Sequence, residues 1–440
     1  MTSSHVQVFA TGLGAYTVYG AGVDCLWQNL LAQTSVIQPI PTHWTDRHRY
    51  VSQVYVPLPP LNPTQWGYKK MDLLQYDPVT LMAMIGVAEA LQQAGLSERL
   101  SAKDGSIHPH RIGVFMGTGI GGVTTTLANA YHHFKEKSSQ SSSTNIPLLF
   151  PHVTEANRLT VPRQMPNAIA AAIAIRYGIH GPVKTYCQAC ASGTVALGEA
   201  YRALRNGQLD MAIVGGAEML GDDVGACFRA FDRMGALTSA ANPIDQSCKP
   251  FDQQRDGFLF SEGGAGILLL ETADCLQQRQ QWGDSVKPLA EIVAYAESFD
   301  AYHLVIPDPS GRELIHLIQQ GLTEAGLTAQ AIQYINAHGT GTEKNDAVES
   351  QVITQLFGDK VVVNSTKGWM GHAIGASGAI EAIVTIQSLL DQQVHGNAHL
   401  QQPIAPFILP TQNYSLTCRH AISQSFAFGG HNALLIFKAS

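Results

Sequence analysis

Cys190 stands in the stretch Thr185-Tyr186-Cys187-Gln188-Ala189-Cys190-Ala191-Ser192-Gly193. A Gly181-Pro182 break and a short β-compatible run precede it, and residues 191–205, with Ala and Leu at helical spacing and Gly207 beyond, predict a helix after it. The thiol is therefore expected at a strand-to-helix turn. Unpaired N–H groups and partial positive charge at a helix start favour thiolate over thiol and can lower a cysteine pKa by about a unit or more, which suits covalent acyl transfer. The plain alternative is a buried structural cysteine among small residues. Two histidines are placed alike: His338 follows the apolar run 332–337 and precedes Gly339-Thr340-Gly341-Thr342, and His372 ends Ser365-Thr366-Lys367-Gly368-Trp369-Met370-Gly371-His372. Each sits where an apolar strand runs out and glycine permits close approach, as in the crevice beyond the strand ends of an α/β sheet. Among 17 histidines a single one would be read as structural. Three reactive residues on comparable strand ends point to one site.

The elements that must position them alternate. In the first half, strands are expected at 6–9, 111–116, 210–214 and 265–270, with helices at 24–33, 78–93 and 167–177. The second half repeats the texture, with strands at 289–295, 332–337, 361–364, 421–426 and 433–437 and helices at 313–325, 346–357 and 373–390. The repetition is visible in order, not in residue identity, and suggests an internally duplicated layered α/β fold. Residues 36–70 read as loop or edge structure, and 131–163, with its serine run and Pro147, Pro151 and Pro162, as a long lid or interface excursion. The chain has 440 residues, a net charge of -7 and seven scattered cysteines. That balance offers no general basic surface for nucleic acid or anionic lipid, and the odd cysteine count argues for a reducing cytoplasm over a disulfide framework. No apolar run approaches the ~18 residues of a membrane span, and the start lacks a basic leader. A soluble, cytoplasmic protein is expected.

Gly117-Thr118-Gly119-Ile120-Gly121-Gly122 matches the dinucleotide-binding glycine pattern and follows a strand. The acidic residue expected about 20 positions on is missing, so the glycines are read as close backbone packing rather than a cofactor site. Cys187-x-x-Cys190 also reads as a redox pair or half a zinc site, but no second Cys/His pair stands nearby.

Four motifs taken together resemble the elongating β-ketoacyl-acyl carrier protein synthases of fatty-acid and type II polyketide synthesis. They are Gln188-Ala189-Cys190-Ala191-Ser192-Gly193, Asn336-Ala337-His338-Gly339-Thr340-Gly341-Thr342, Thr366-Lys367-Gly368-Trp369-Met370-Gly371-His372 and Ser425-Phe426-Ala427-Phe428-Gly429-Gly430-His431-Asn432. The likeness runs in order from Val6 to Lys438, touching Asp300-Ala301-Tyr302-His303. It implies a thiolase-like αβαβα sandwich of two similar halves, here 1–270 with the nucleophile and 285–440 with the histidines, pairing into dimers through the nucleophile region. It implies Cys190 as acyl acceptor and His338 and His372 as neutral N–H donors to the enolate of a decarboxylating malonyl thioester, each such donor being typically worth ~3 kcal/mol. The oxyanion would lie on the backbone N–H groups of Cys190 and Phe428, with Phe428 also the gate of the acyl pocket. Lys367 and Glu349 would orient the histidines, their ordinary reading being a surface ion pair, and Thr340 and Thr342 would bond the pantetheine amides. No metal or cofactor is implied beyond the pantetheine of an acyl carrier protein.

Gln188 stands where that family usually has Thr, Cys187 adds a thiol, Glu262-Gly263-Gly264-Ala265-Gly266 carries an extra glycine, and Gly368-Trp369-Met370 and Ala427 replace commoner residues. These departures suggest a specialised rather than a housekeeping synthase. Two rivals remain: a non-catalytic chain-length-factor partner, which typically lacks the nucleophile, and a thiolase, which replaces one of these histidines with a second reactive cysteine. Whether the chain forms a homodimer or joins a homologous subunit stays open.

Overall fold

The computed structural model describes residues 6–45, 48–96, 100, 107–137, 158–241 and 243–440. Its first half runs β1 (Val8–Thr17), α1 (Pro78–Gln93), β2 (Ile112–Gly117), α2 (Ala168–Tyr177), β3 (Val183–Tyr186), α3 (Ser192–Arg205), β4 (Met211–Met219) and β5 (Gly263–Thr272). The second repeats the series with β6 (Ala290–Phe299), α4 (Arg312–Ala325), β7 (Tyr334–Asn336), α5 (Glu343–Phe357), β8 (Val362–Asn364), α6 (Ser377–Asp391), β9 (His420–Phe426) and β10 (His431–Ala439). The two sheets have the same strand order, β3-β2-β4-β5-β1 and β8-β7-β9-β10-β6. In each, the first three strands are parallel and the last two pair antiparallel. Three residue pairs between β1 and β6, Val8 with Ile292 through Ala10 with Ala290, join the sheets at one edge. Helices α3 and α6 fill the layer between the sheets, while α1 and α4 cover their outer faces. The result is the five-layered αβαβα sandwich.

Close approach at glycine decides where elements begin and end. A Cβ on Gly12 would lie 2.1 Å from the Ala90 carbonyl oxygen, and one on Gly14 only 1.9 Å from that of Gly86. Helix α1 therefore rests directly on β1, and the strand continues through Thr11-Gly12-Leu13-Gly14 to Thr17 instead of stopping at them. Strand β4 likewise runs through Gly215 and Gly216, because the turn before α6 packs where a Gly216 side chain would be, 2.6 Å from the Gly375 oxygen. Both strands are thus longer than their glycines suggested, since a buried glycine here marks contact rather than an end.

Residues 36–70, expected as loop or edge structure, hold the short pair Gln38–Pro39 and Val54–Tyr55 together with a single helical turn at Thr42–Thr45 and a 3-10 turn at Pro63–Trp66. Of the 131–163 excursion, the helix Val123–Lys137 occupies the start and Thr160–Gln164 the end, and 138–157 lies outside the described residues. The apolar segment Ile374–Asp391 is long enough to cross a membrane, but 83% of it is buried in the protein as the core helix α6.

The middle layer is tightest where α3 crosses α6. A Cβ on Gly378 would stand 2.1 Å from Thr194 Oγ1 and 2.9 Å from the Thr194 nitrogen. Overpacking a close-packed core costs about 1–3 kcal/mol. The Gly378→Ala variant should accordingly lower the urea midpoint by that amount of stability, and an unchanged midpoint would contradict the packing described.

Candidate active site

Cys190 lies in a single 3-10 turn, Ala189–Ala191, between β3 and α3. Ala189 holds a left-handed backbone, φ 46°, costly for a residue with a Cβ and typical of a turn that aims a side chain. The Ser192 hydroxyl locks the turn, accepting from the Gln188 N–H at 2.9 Å and lying 2.7 Å from the Ala189 carbonyl oxygen. The second half repeats the device. Ile374–Ala376 is again a 3-10 turn, Ile374 has φ 43°, and Ala376-Ser377-Gly378 matches Ala191-Ser192-Gly193 in sequence and place. The identity signal for the duplication was present in that tripeptide.

The structure brings Cys190, His338 and His372 together, with their ligating atoms all within 4.8 Å of one another. His372 Nε2 is 3.0 Å from Cys190 Sγ, and its Nδ1 is 2.9 Å from the Ser377 hydroxyl. The His338 ring faces it edge-on, centroids 5.5 Å apart. His338 follows β7 directly, whereas His372 is set eight residues beyond β8 by the short helix Lys367–Met370. Both imidazoles are buried, and burial together with the Lys367 ammonium pushes both far below the ordinary histidine range. They are neutral at physiological pH.

The helix-start argument for a thiolate fails here. Burial, the largest influence, pushes Cys190 up to about 12, against the opposing pull of Lys367 and of the Phe428 and Cys190 backbone N–H groups that bond the sulfur. Desolvation outweighs a terminus whose effect is partial. Cys190 rests as a thiol beside a neutral imidazole.

Lys367 and Glu349 are not a surface pair. Lys367 is 1% exposed and donates to the His338 carbonyl oxygen at 2.8 Å and to Glu381, which sequence reasoning missed. Glu381, one turn along α6 from Ser377, is pushed to about 7 by burial against the pull of that lysine. The available signal was that Glu381 is the one charged residue of α6 before its terminal Asp391, inside a run of small and apolar residues. Glu349 instead holds the backbone before the histidine ring, accepting from the N–H groups of His338 at 2.7 Å and Gly339 at 2.8 Å. Gln424 and Asn345, also unforeseen, donate to it at 2.7 and 3.1 Å.

A cavity of about 470 Å³ opens onto Cys190, His338, His372, Thr340, Thr342 and Phe428. The two threonine hydroxyls bond each other at 2.9 Å on its wall. Phe428 begins a turn with Gly429 and Gly430 both at φ 85°, and Gly429 donates to the Leu304 carbonyl oxygen at 2.7 Å while Asp300 donates to that of Gly430 at 2.9 Å. The 300–306 segment therefore holds the Phe428 turn. Cys187 is an exposed free thiol and Cys190 a buried one, so the Cys-x-x-Cys spacing pairs two different environments. The glycine-rich loop after β2 does offer its N–H groups to an anion, but the anion is the buried Glu218 carboxylate. The packing reading of those glycines holds, and the cradle is filled from within.

Two family models match the chain: "Beta-ketoacyl synthase, N-terminal domain" over residues 6–275 and "Beta-ketoacyl synthase, C-terminal domain" over 289–401. The chain is 33% identical over 442 residues to 3-oxoacyl-(acyl-carrier-protein) synthase 2 of Staphylococcus aureus strain MRSA252, covering 99% of each. Among solved structures it is similar to a type II polyketide synthase acyl-carrier protein in complex with its ketosynthase bound to the hexaketide, with TM-score 0.82, 26% identity and coverage of 99% of this chain and 100% of that one. It is also similar to a ketosynthase in complex with its chain length factor from Xenorhabdus doucetiae, with TM-score 0.78, 25% identity and coverage of 99% and 98%.

Because a thiol at about 12 yields thiolate in proportion to hydroxide, iodoacetamide alkylation of Cys190 should keep rising through about pH 9. Mass spectrometry of the alkylated peptide against pH checks this. A plateau near neutrality would reveal a thiolate already formed.

Proposed function

Because the chain belongs to the β-ketoacyl synthase family and is a condensing enzyme of the acyltransferase class, we propose that it extends an acyl group held on Cys190 with a malonyl unit delivered by an acyl carrier protein. The single observation that carries the assignment of roles is the convergence of one thiol and two neutral imidazoles on one cavity.

In the first half-reaction Cys190 Sγ attacks the thioester carbonyl of an acyl-pantetheine. Its proton passes to His372 Nε2, 3.0 Å away, and on to the departing pantetheine sulfur as the C–S bond breaks. The N–H groups of Cys190 and Phe428, which bond the resting sulfur, are placed to donate to the developing oxyanion. In the second, the malonyl C–C bond to the carboxylate breaks, CO2 leaves, and the electron pair moves into the thioester as an enolate. Acylation uses the His372 tautomer with the proton on Nδ1 and Nε2 basic; here the other tautomer, with Ser377 donating to Nδ1, puts the proton on Nε2, aimed at that oxygen, and His338 supplies the second donor. Neutrality matters here because the catalytic need is for N–H donation, and burial with Lys367 keeps an extra proton off both rings. The enolate carbon then attacks the acyl-Cys190 carbonyl. Collapse expels the Cys190 thiolate and releases the β-ketoacyl thioester, and a proton taken up from solvent, the one consumed overall when the carboxylate leaves as CO2, restores the thiol.

Thr340 and Thr342, on the cavity wall, suit the pantetheine amides, and Phe428 suits a gate between that arm and the apolar side. The carrier protein and a homologous chain are the proposed partners. Edge strand β3, with Val183 41% exposed, is suited to pairing with a second copy or a chain-length-factor subunit. An intact triad favours the catalytic role over that of an inactive partner. A cytoplasmic setting and a polyketide or specialised fatty-acid pathway fit the free thiols and the polyketide ketosynthases among the structural neighbours.

Intact-mass spectrometry of the protein with acyl- and malonyl-carrier protein tests this reading. Wild type should gain an acyl adduct and yield a ketoacyl product, Cys190→Ala should gain none, and His338→Ala should acylate yet decarboxylate malonyl thioester about 100-fold more slowly. Carrier-protein binding with no adduct at any acyl length would sink the catalytic assignment.

A further inference from the structure

Glu218 lies at the end of β4, fully buried, and contributes no atom to the cavity. Its carboxylate nevertheless collects four donors from both halves of the fold. Oε2 accepts from the N–H groups of Gly119 at 2.5 Å and Gly375 at 3.0 Å, and Oε1 from the N–H of Ile120 at 3.1 Å and the Thr118 hydroxyl at 3.3 Å. Gly119 and Gly375 reach it because neither has a side chain, a Cβ on either falling 2.6 Å from Oε2. From there the connections lead to the nucleophile by two routes. The Thr118 carbonyl oxygen is 3.2 Å from the Ser192 hydroxyl that locks the Cys190 turn, and Gly375 follows Ile374, the left-handed residue packed in the same apolar cluster as Cys190. Glu218 thus ties the turn carrying the thiol to its counterpart in the second half. The histidines are held by a different set: Ser377 on His372, and Lys367 and Glu349 on the backbone of His338.

We propose that Glu218 is a positioning residue for the acyl-transfer half of the reaction, fixing Cys190 and the apolar wall behind it while leaving the enolate-stabilising histidines to their own supports. The inference rests on the condensing mechanism above and adds a division of labour to it. Glu218 bonds the loop behind the Cys190 turn and Gly375 but neither imidazole nor Ser377, so its loss should slow acylation more than enolate formation. Glu218→Gln keeps the shape but turns an NH2 group toward donors that need an acceptor. Gly119→Ala keeps the carboxylate and displaces it.

The test measures each half-reaction alone on wild type and both variants, with hexanoyl-pantetheine for Cys190 acylation by intact mass and malonyl-pantetheine for CO2 release, alongside thermal melting. Misplacing a nucleophile by a fraction of an ångström is expected to slow acylation by about tenfold or more, with CO2 release held within about twofold. Should Glu218→Gln fail to fold, Gly119→Ala must show the same split by itself. Proportional loss of both half-reactions, or loss of neither, in a folded variant overturns the proposal. A wild type inert in both half-reactions overturns the condensing mechanism and this proposal with it.

Discussion

A lysine ammonium buried to 1% exposure against helix α6 is the constraint around which the site is built. Removing an ammonium from water costs several kcal/mol, so Lys367 must be matched, and Glu381 and the His338 carbonyl oxygen do so. One charge then acts on three neighbours. It adds to the larger effect of burial in disfavouring a proton on His338 and His372, and it pulls Cys190 down, though not far enough to overcome that thiol's own desolvation. The three reactive groups are therefore all neutral at rest. Charge develops only as bonds break, in a pocket whose donors are already oriented, which is where preorganised dipoles lower a barrier most.

The duplicated fold explains how such a site can be supported from every side. Each half supplies a left-handed residue, a 3-10 turn and an Ala-Ser-Gly helix start, at Ala189 and at Ile374. The first copy presents Cys190. The second gives its serine to His372 and, one turn on, its glutamate to Lys367. Because α3 and α6 touch at glycines, the copies approach closely enough for one carboxylate, Glu218, to bond backbone from both.

Much of this was legible in the sequence because the reactive residues sit in local patterns. A β-compatible run opening into a helix located Cys190, an apolar run ending in glycine located His338, and motif order carried the family, the sandwich and the roles implied by resemblance. What was not legible depends on contacts distant in the chain. Glu381 is recognisable as a partner only once α6 lies against Lys367, and Glu218 only once its carboxylate is seen inside the loop that imitates a nucleotide cradle. The thiol's proton affinity went astray for the same reason: the helix start is local, whereas burial by both halves is not. Strand ends at Gly12, Gly14 and Gly215 were misplaced because a glycine against a helix and a glycine in a turn are the same letter.

The central claim, that two neutral imidazoles stand ready as donors, is tested most directly by NMR titration of the carbon beside both ring nitrogens in histidine-labelled protein, with His338→Ala and His372→Ala assigning the signals. Two resonances should stay at the neutral-ring position from about pH 8 down to about pH 5.5, well below the ordinary histidine midpoint. A titration of either ring near or above that midpoint would mean an imidazolium in the resting site and would contradict that claim.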